Sequence, residues 1–137
     1  MSSSDTTGLF TYGTLSPGAS AHSIVAPWIR STHRASTHGR LVELDAGYPA
    51  IVDGPAGVVH GWLLAWSSAP PWDQLDAYED ADPDHPQRSL YRRVERSVIV
   101  GSVELRAYCY VISAAHPVLQ AARPLPSGVW PGRSWLR

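Results

Sequence analysis

The sequence predicts an α+β domain dominated by strand, a small β-barrel or strongly curved sheet with flanking helices. Three observations predict it. Between residues 8 and 112 the chain breaks into short segments rich in Val, Ile, Leu and aromatic residues, separated by turns bearing Gly, Pro and Asp. One segment, 70–79, carries a clear helical period. The length, 137 residues with 44% hydrophobic and 17% charged, suits one domain that buries its core without a disulfide or metal.

Each element has its own warrant. Residues 1–7 are polar and predict a disordered tail. Residues 8–12 (GLFTY) form a short apolar strand that breaks at Gly13, in a loop that also holds Pro17 and Gly18. Residues 19–29 are expected to be a helix, ended or kinked near Pro27. Strands are expected at 38–44 and 48–53, the second an edge or irregular strand because of Pro49. Residues 57–66 (GVVHGWLLAW) are apolar on both faces and predict a central buried strand. The tandem prolines Pro70 and Pro71 suit the first turn of the helix at 70–79, where a missing N–H matters least. A polar loop at 80–89 leads to strands at 90–100 and 103–112, joined by the hairpin signal Gly101-Ser102. The expected organisation is a tail at 1–7, a domain at 8–112 and a C-terminal extension at 113–137 packed on that domain. Trp130 and Trp135 argue that the extension docks.

Composition removes several chemistries. The net charge of −1 offers no broad basic field for nucleic acid or acidic membranes. All 11 basic residues are arginine, so Schiff-base, Walker-lysine and lysine general-base chemistry are excluded within this sequence. The single cysteine, Cys109, allows no intramolecular disulfide and no CxxC pair, and reads best as a small buried hydrophobe. MSSSDTTG lacks the basic and apolar regions of a signal peptide, and no apolar run approaches membrane-spanning length. A cytoplasmic location is expected. The six histidines form no zinc spacing. There is no G-x-S-x-G elbow.

The helix at 70–79 carries the first chemical signal. At about 100° per residue, Trp72, Leu75 and Glu79 share one stripe, with Asp73 and Asp80 turned away and Asp76 between. A carboxylate on the apolar side is partly desolvated, which raises its pKa toward the range of a useful general acid or base. The other reading is a helix-end glutamate in water, the commoner state of a charged residue. Tyr12-Gly13-Thr14-Leu15 carries the second signal. A strand ending in glycine exposes N–H groups suited to an anion or oxyanion, although most such sequences are plain turns. Asp76, Glu79, Asp80, Asp82 and Asp84 form an acidic run. It fails as a calcium loop because the sixth and twelfth positions are His85 and Tyr91, so it reads as a solvated loop.

In order, the chain reads LFTYGTLSPG, GRLVELDAGYPAIV, VVHGWLLAW, WDQLDAYED, LYRRVERSVIV and VELRAYCYVI. Together these motifs resemble the gamma-glutamylcyclotransferase-like family over residues 8 to 112. The resemblance implies a small β-barrel with helices around it and a cavity at one end. It places Tyr12, Gly13, Thr14 and Leu15 in a substrate loop, Glu79 at the catalytic glutamate, and Tyr91 near the cavity with Arg93 beside it in the same motif. Two departures stand out: Asp80 follows the glutamate where the family often has Gly, and the loop to Ser89 is longer.

The resemblance implies an enzyme acting on a small gamma-glutamyl compound. The substrate α-amine attacks its own γ-carbonyl and releases 5-oxoproline and an amine, with Glu79 moving the proton. Neither cofactor nor metal is implied, and neither nucleic acid nor membrane is an expected partner. The leaving group and the oligomeric state stay open, and amino acid, peptide, isopeptide and acylated amine are all compatible. Two other readings compete: a non-catalytic small-molecule binding module on the same barrel, because fold does not determine function, and an interaction domain working through the tryptophan-bearing extension.

Overall fold

The computed structural model describes residues 8–13, 15–17, 22–52, 54, 56–66, 72–79, 81 and 89–130. The expected tail at 1–7 and most of the 80–89 loop lie outside these residues. Five strands close a barrel: β1 (Gly8–Thr11), β5 (Val58–Trp66), β2 (Ile29–His38), β6 (Arg92–Val100) and β7 (Val103–Val111), in that order. β1 joins β5 antiparallel, and the barrel closes through a short parallel pairing of β1 with β7. A second sheet holds β4 (Pro49–Val52), β3 (Arg40–Glu43) and β8 (Arg123–Pro124). It is tied to the barrel where Ile112 N–H donates to Ile51 C=O at 2.8 Å. Among the described residues, no helix is long and apolar enough to cross a membrane.

Alternation along the strands sorts the core. Phe10, Leu63, Cys109 and Val111 belong to one buried cluster. Their neighbours Leu9, Leu64, Tyr110 and Ile112 belong to another, which packs against α1 (Trp72–Tyr78). Successive side chains of a strand point to opposite faces, so the barrel wall is apolar inside and out. β5 pairs with β1 on one side and β2 on the other, as every strand of the closed barrel pairs twice, and Val59, Leu63, Leu64 and Ala65 are its buried residues. β4 is one of the two edge strands of the second sheet, a position compatible with Pro49. Gly101, at φ +61°, turns the β6–β7 hairpin between paired Val100 and Val103.

Three sequence expectations are corrected. The helix at 19–29 is absent: the described part forms short 3₁₀ turns at His22–Ile24 and Ala26–Trp28, and Ile29 already opens a strand. Pro27 has no N–H to continue a helix. Second, β2 had no place in the sequence reading. Its segment IRSTHRASTH is polar, yet its backbone pairs with β5 along its length; Ala35 and Thr37 are its buried residues, and the others stay partly or fully exposed. Third, the strand at 38–44 is divided at Gly39. His38 ends β2 and Arg40 begins β3, and Gly39 has φ +143° with no room for a Cβ against Ile51 Cγ2.

The C-terminal segment runs back over the barrel. β8 pairs with β3, Leu125 N–H donates to Leu41 C=O, and His60 N–H donates to Gly128 C=O. Arg123 pairs with the buried carboxylate of Glu43 at 3.2 Å. Trp130 is buried with the cluster that holds Phe10.

Candidate active site

β1 delivers Tyr12 and Gly13 to one end of the barrel. Beyond Thr11, the last residue paired with β5, the chain turns back, with Ser16 N–H donating to Gly13 C=O at 3.0 Å. A Cβ on Gly13 would stand 2.8 Å from Pro49 Cγ, so the turn sits tightly against the start of β4. Ser16 Oγ bonds Thr11 Oγ1, and His22 Nδ1 lies 2.8 Å from Leu15 C=O. The turn is therefore held from both sides.

Helix α1 delivers Glu79. Leu75 is fully buried and anchors the helix, and Glu79 N–H donates to Leu75 C=O, which places Glu79 one turn above it. This is the stripe expected from the spacing. Asp76 does not follow the solvated-loop reading. It is buried, accepts a hydrogen bond from Tyr110 Oη at 2.7 Å and pairs with Arg93 at 3.4 Å. The Arg93 guanidinium lies 4.0 Å from the Trp72 ring centroid. Carboxylates seldom stay buried without partners. Asp76 has two, both supplied by β6 and β7, and helical spacing has no information about either.

Between these elements lies a cavity of about 260 Å³, lined by Leu9, Phe10, Thr11, Tyr12, Gly13, Leu15, Tyr48, Pro49, Tyr78, Glu79, Leu90, Tyr91 and Tyr110. Of the residues expected at the site, Tyr12, Gly13, Leu15, Glu79 and Tyr91 meet here. Thr14 lies outside the described residues, and Arg93 stands behind Tyr110 and Asp76. Tyr48, Tyr78 and Tyr110 were not anticipated. Tyr48 opens the YPA motif and Tyr78 precedes Glu79, so adjacency to the motifs was the available signal. Tyr110 sits next to Cys109 on a strand, and no sequence signal pointed to it.

The hydroxyls are largely spoken for. Tyr12 Oη donates to Tyr110 C=O at 2.7 Å and accepts from Ile51 N–H at 3.3 Å. Tyr91 Oη donates to Pro49 C=O at 2.7 Å. Burial pushes the Tyr12, Tyr91 and Tyr110 hydroxyls well above their ordinary pKa, and the Glu79 charge adds to the rise in each. They stay neutral. Glu79 itself is raised by loss of solvent to about 7. A carboxyl poised there exchanges protons in either direction near neutrality. Among the described residues, no group of three His, Cys, Asp or Glu side chains is arranged to hold a metal ion.

A concave, mostly apolar cavity with a single carboxyl whose pKa is raised to about 7 is the form of a small-molecule acid–base site. Residues 9–132 match the family described as gamma-glutamyl cyclotransferase, AIG2-like, and the chain belongs to that family. The match runs through β8 and Trp130, past residue 112 where the sequence motifs end. The fold is shared with YkqA of Bacillus subtilis at a TM-score of 0.65 and 21% identity, over 92% of this chain and 40% of that one. A solution structure of an Arabidopsis thaliana protein gives a TM-score of 0.60 and 23% identity, over 85% of this chain and 77% of that one. The SsrA-binding protein of Roseiflexus sp. (strain RS-1) is 40% identical over 70 residues, which are 51% of this chain. The chain spans only 40% of that relative's length.

Proposed function

We propose that the protein is a gamma-glutamyl cyclotransferase with Glu79 as its general acid and base. The observation that carries this reading is the half-buried Glu79 carboxyl, raised to about 7, at the edge of a cavity that also holds Tyr12 and Gly13. Family membership supports the same reading.

In this mechanism the gamma-glutamyl group enters with its α-ammonium toward Glu79. The carboxylate takes a proton and frees the amine, which attacks the γ-carbonyl carbon and closes a five-membered ring. The backbone N–H groups of Gly13 and Leu15 are the donors for the developing oxyanion in this reading. The C–N bond to the leaving amine then breaks as Glu79 returns a proton to the departing nitrogen. Over the cycle two protons move from the attacking to the departing nitrogen, the amine leaves as an ammonium, and Glu79 regains its starting state. The reaction is intramolecular, so a snug cavity that holds the ring-closing geometry supplies much of the rate. The neutral tyrosines and apolar walls reduce the water around Glu79 and so raise its basicity.

The test is release of 5-oxoproline, measured by mass spectrometry, from a panel of gamma-glutamyl amino acids, amines, glutathione and the lysine isopeptide. Release is expected from wild type and a loss of roughly 100-fold or more from Glu79→Gln. Binding of panel members without release by folded wild type would assign a binding module instead.

A further inference from the structure

The turn that holds Gly13 is supported from outside the cavity. Gly13 lines the cavity, and a Cβ built on it would meet Pro49 Cγ at 2.8 Å, Pro49 Cδ at 3.4 Å and Trp130 Cε3 at 3.9 Å. Two rings therefore limit where this turn can stand. Pro49 is itself a lining residue, and its carbonyl is held by Tyr91 Oη at 2.7 Å. Trp130 is not in the lining, and it reaches the turn from the other side.

Residues 123–130 form a strap that carries Trp130 there, stitched down by backbone hydrogen bonds. β8 pairs with β3, Leu125 N–H donates to Leu41 C=O at 2.9 Å, and His60 N–H donates to Gly128 C=O at 2.8 Å. Gly128 turns the strap at φ +73°, and a Cβ there would stand 2.0 Å from Val58 C=O. The strap thus lies as close to β5 as glycine allows, two residues before Trp130.

Trp130 is buried with the Phe10 cluster, and its Nε1–H has no hydrogen-bond partner among the described residues. A buried indole N–H usually finds an acceptor, and one left without costs stability. Filling a core asks only for an apolar side chain of suitable volume, and Phe or Leu would supply it with no N–H to bury. What the indole supplies here is reach, because its benzo ring extends to Gly13.

We propose that Trp130 is a positioning residue for this turn, setting the distance from the Gly13 and Leu15 N–H groups to the reacting γ-carbonyl, so that the C-terminal strap is part of the site. This rests on the cyclotransferase reading above. A support behind an oxyanion donor acts on the transition state more than on substrate binding, so its loss falls on kcat rather than KM.

The test compares Trp130→Leu, which stays apolar and loses the reach, with Trp130→Phe, whose ring carbons fall near Cε3. Val100→Ala, against the same cluster but at the β6–β7 hairpin, controls for loss of stability alone. Release of 5-oxoproline is measured on folded protein, and NMR follows exchange of the Ser16 amide, which donates to Gly13 C=O. Trp130→Leu should lower kcat roughly tenfold or more with KM little changed, and should speed Ser16 exchange by a similar factor. Trp130→Phe should recover most of both, and Val100→Ala should alter neither. Should Trp130→Leu not fold, Gly128→Ala lifts the strap with the indole intact and is read by the same two measurements. Wild-type kcat and wild-type exchange in the folded variant would overturn the proposal and leave the cyclotransferase reading standing. No release by wild type would overturn the cyclotransferase reading. Ser16 exchange then decides the role of Trp130: faster exchange supports it as the holder of the turn, and unchanged exchange overturns it.

Discussion

The Tyr110 hydroxyl donates to Asp76 Oδ1 at 2.7 Å, joining β7 to helix α1 one turn before Glu79. Tyr110 lines the cavity, and Asp76 also pairs with Arg93 of β6. The orientation of the helix that carries Glu79 thus depends on a polar contact with two barrel strands. Asp76→Ala removes the acceptor for both. It should destabilise the fold by about 2 kcal/mol, the cost of losing a buried hydrogen bond to a charged group, as read by urea unfolding. It should also lower turnover, because Glu79 loses its register. Tyr110→Phe keeps the Arg93 pair and should cost less.

Glu79 sets two opposite pH trends. Its folded pKa of about 7 lies above the ordinary 4.5. As a base it must be ionised, so kcat/KM should rise with pH to a plateau above about 7. Stability runs the other way. Between 4.5 and 7 the native state binds more protons than the unfolded chain, so stability falls as pH rises through that window. Glu79→Gln should therefore match wild-type stability at pH 4 and exceed it at pH 8. Identical stability profiles for the two proteins would place Glu79 in ordinary solvent.

Gly61 is required by close approach. A Cβ there would stand 2.1 Å from Thr11 C=O and 3.0 Å from Phe10 Cζ. The first contact is with backbone, so β1 and β5 must part. Gly61→Ala should cost about 3 kcal/mol, the upper range for overpacking, and should impair activity because Tyr12 follows Thr11. Thermal unfolding with parallel kinetics checks both.

Tyr91 anchors the start of β4 through its bond to Pro49 C=O. Tyr91→Phe should cost about 1 kcal/mol and reduce turnover far less than Glu79→Gln. An unfolded variant would assign the hydroxyl a mainly structural role.

Local rules made much of this protein legible. The stripe Trp72, Leu75, Glu79 follows from helical period alone, and the structure buries Leu75 and brings Glu79 to the cavity. Pro49 marked an edge strand, and Gly101-Ser102 marked a hairpin, because missing donors and positive φ are properties of single residues. What stayed hidden was relational. β2 is a polar segment that becomes a barrel strand only because β5 and β6 offer their edges to it. Asp76 is buried because β6 and β7 bring Arg93 and Tyr110 to it across the fold. The cavity draws its tyrosines from five separate places in the chain. The sequence alone determined which residues are candidates for chemistry, since residue type and local period set that. Only the tertiary structure decided which of them share a solvent-poor space, because desolvation and pairing are properties of neighbours brought together from distant positions.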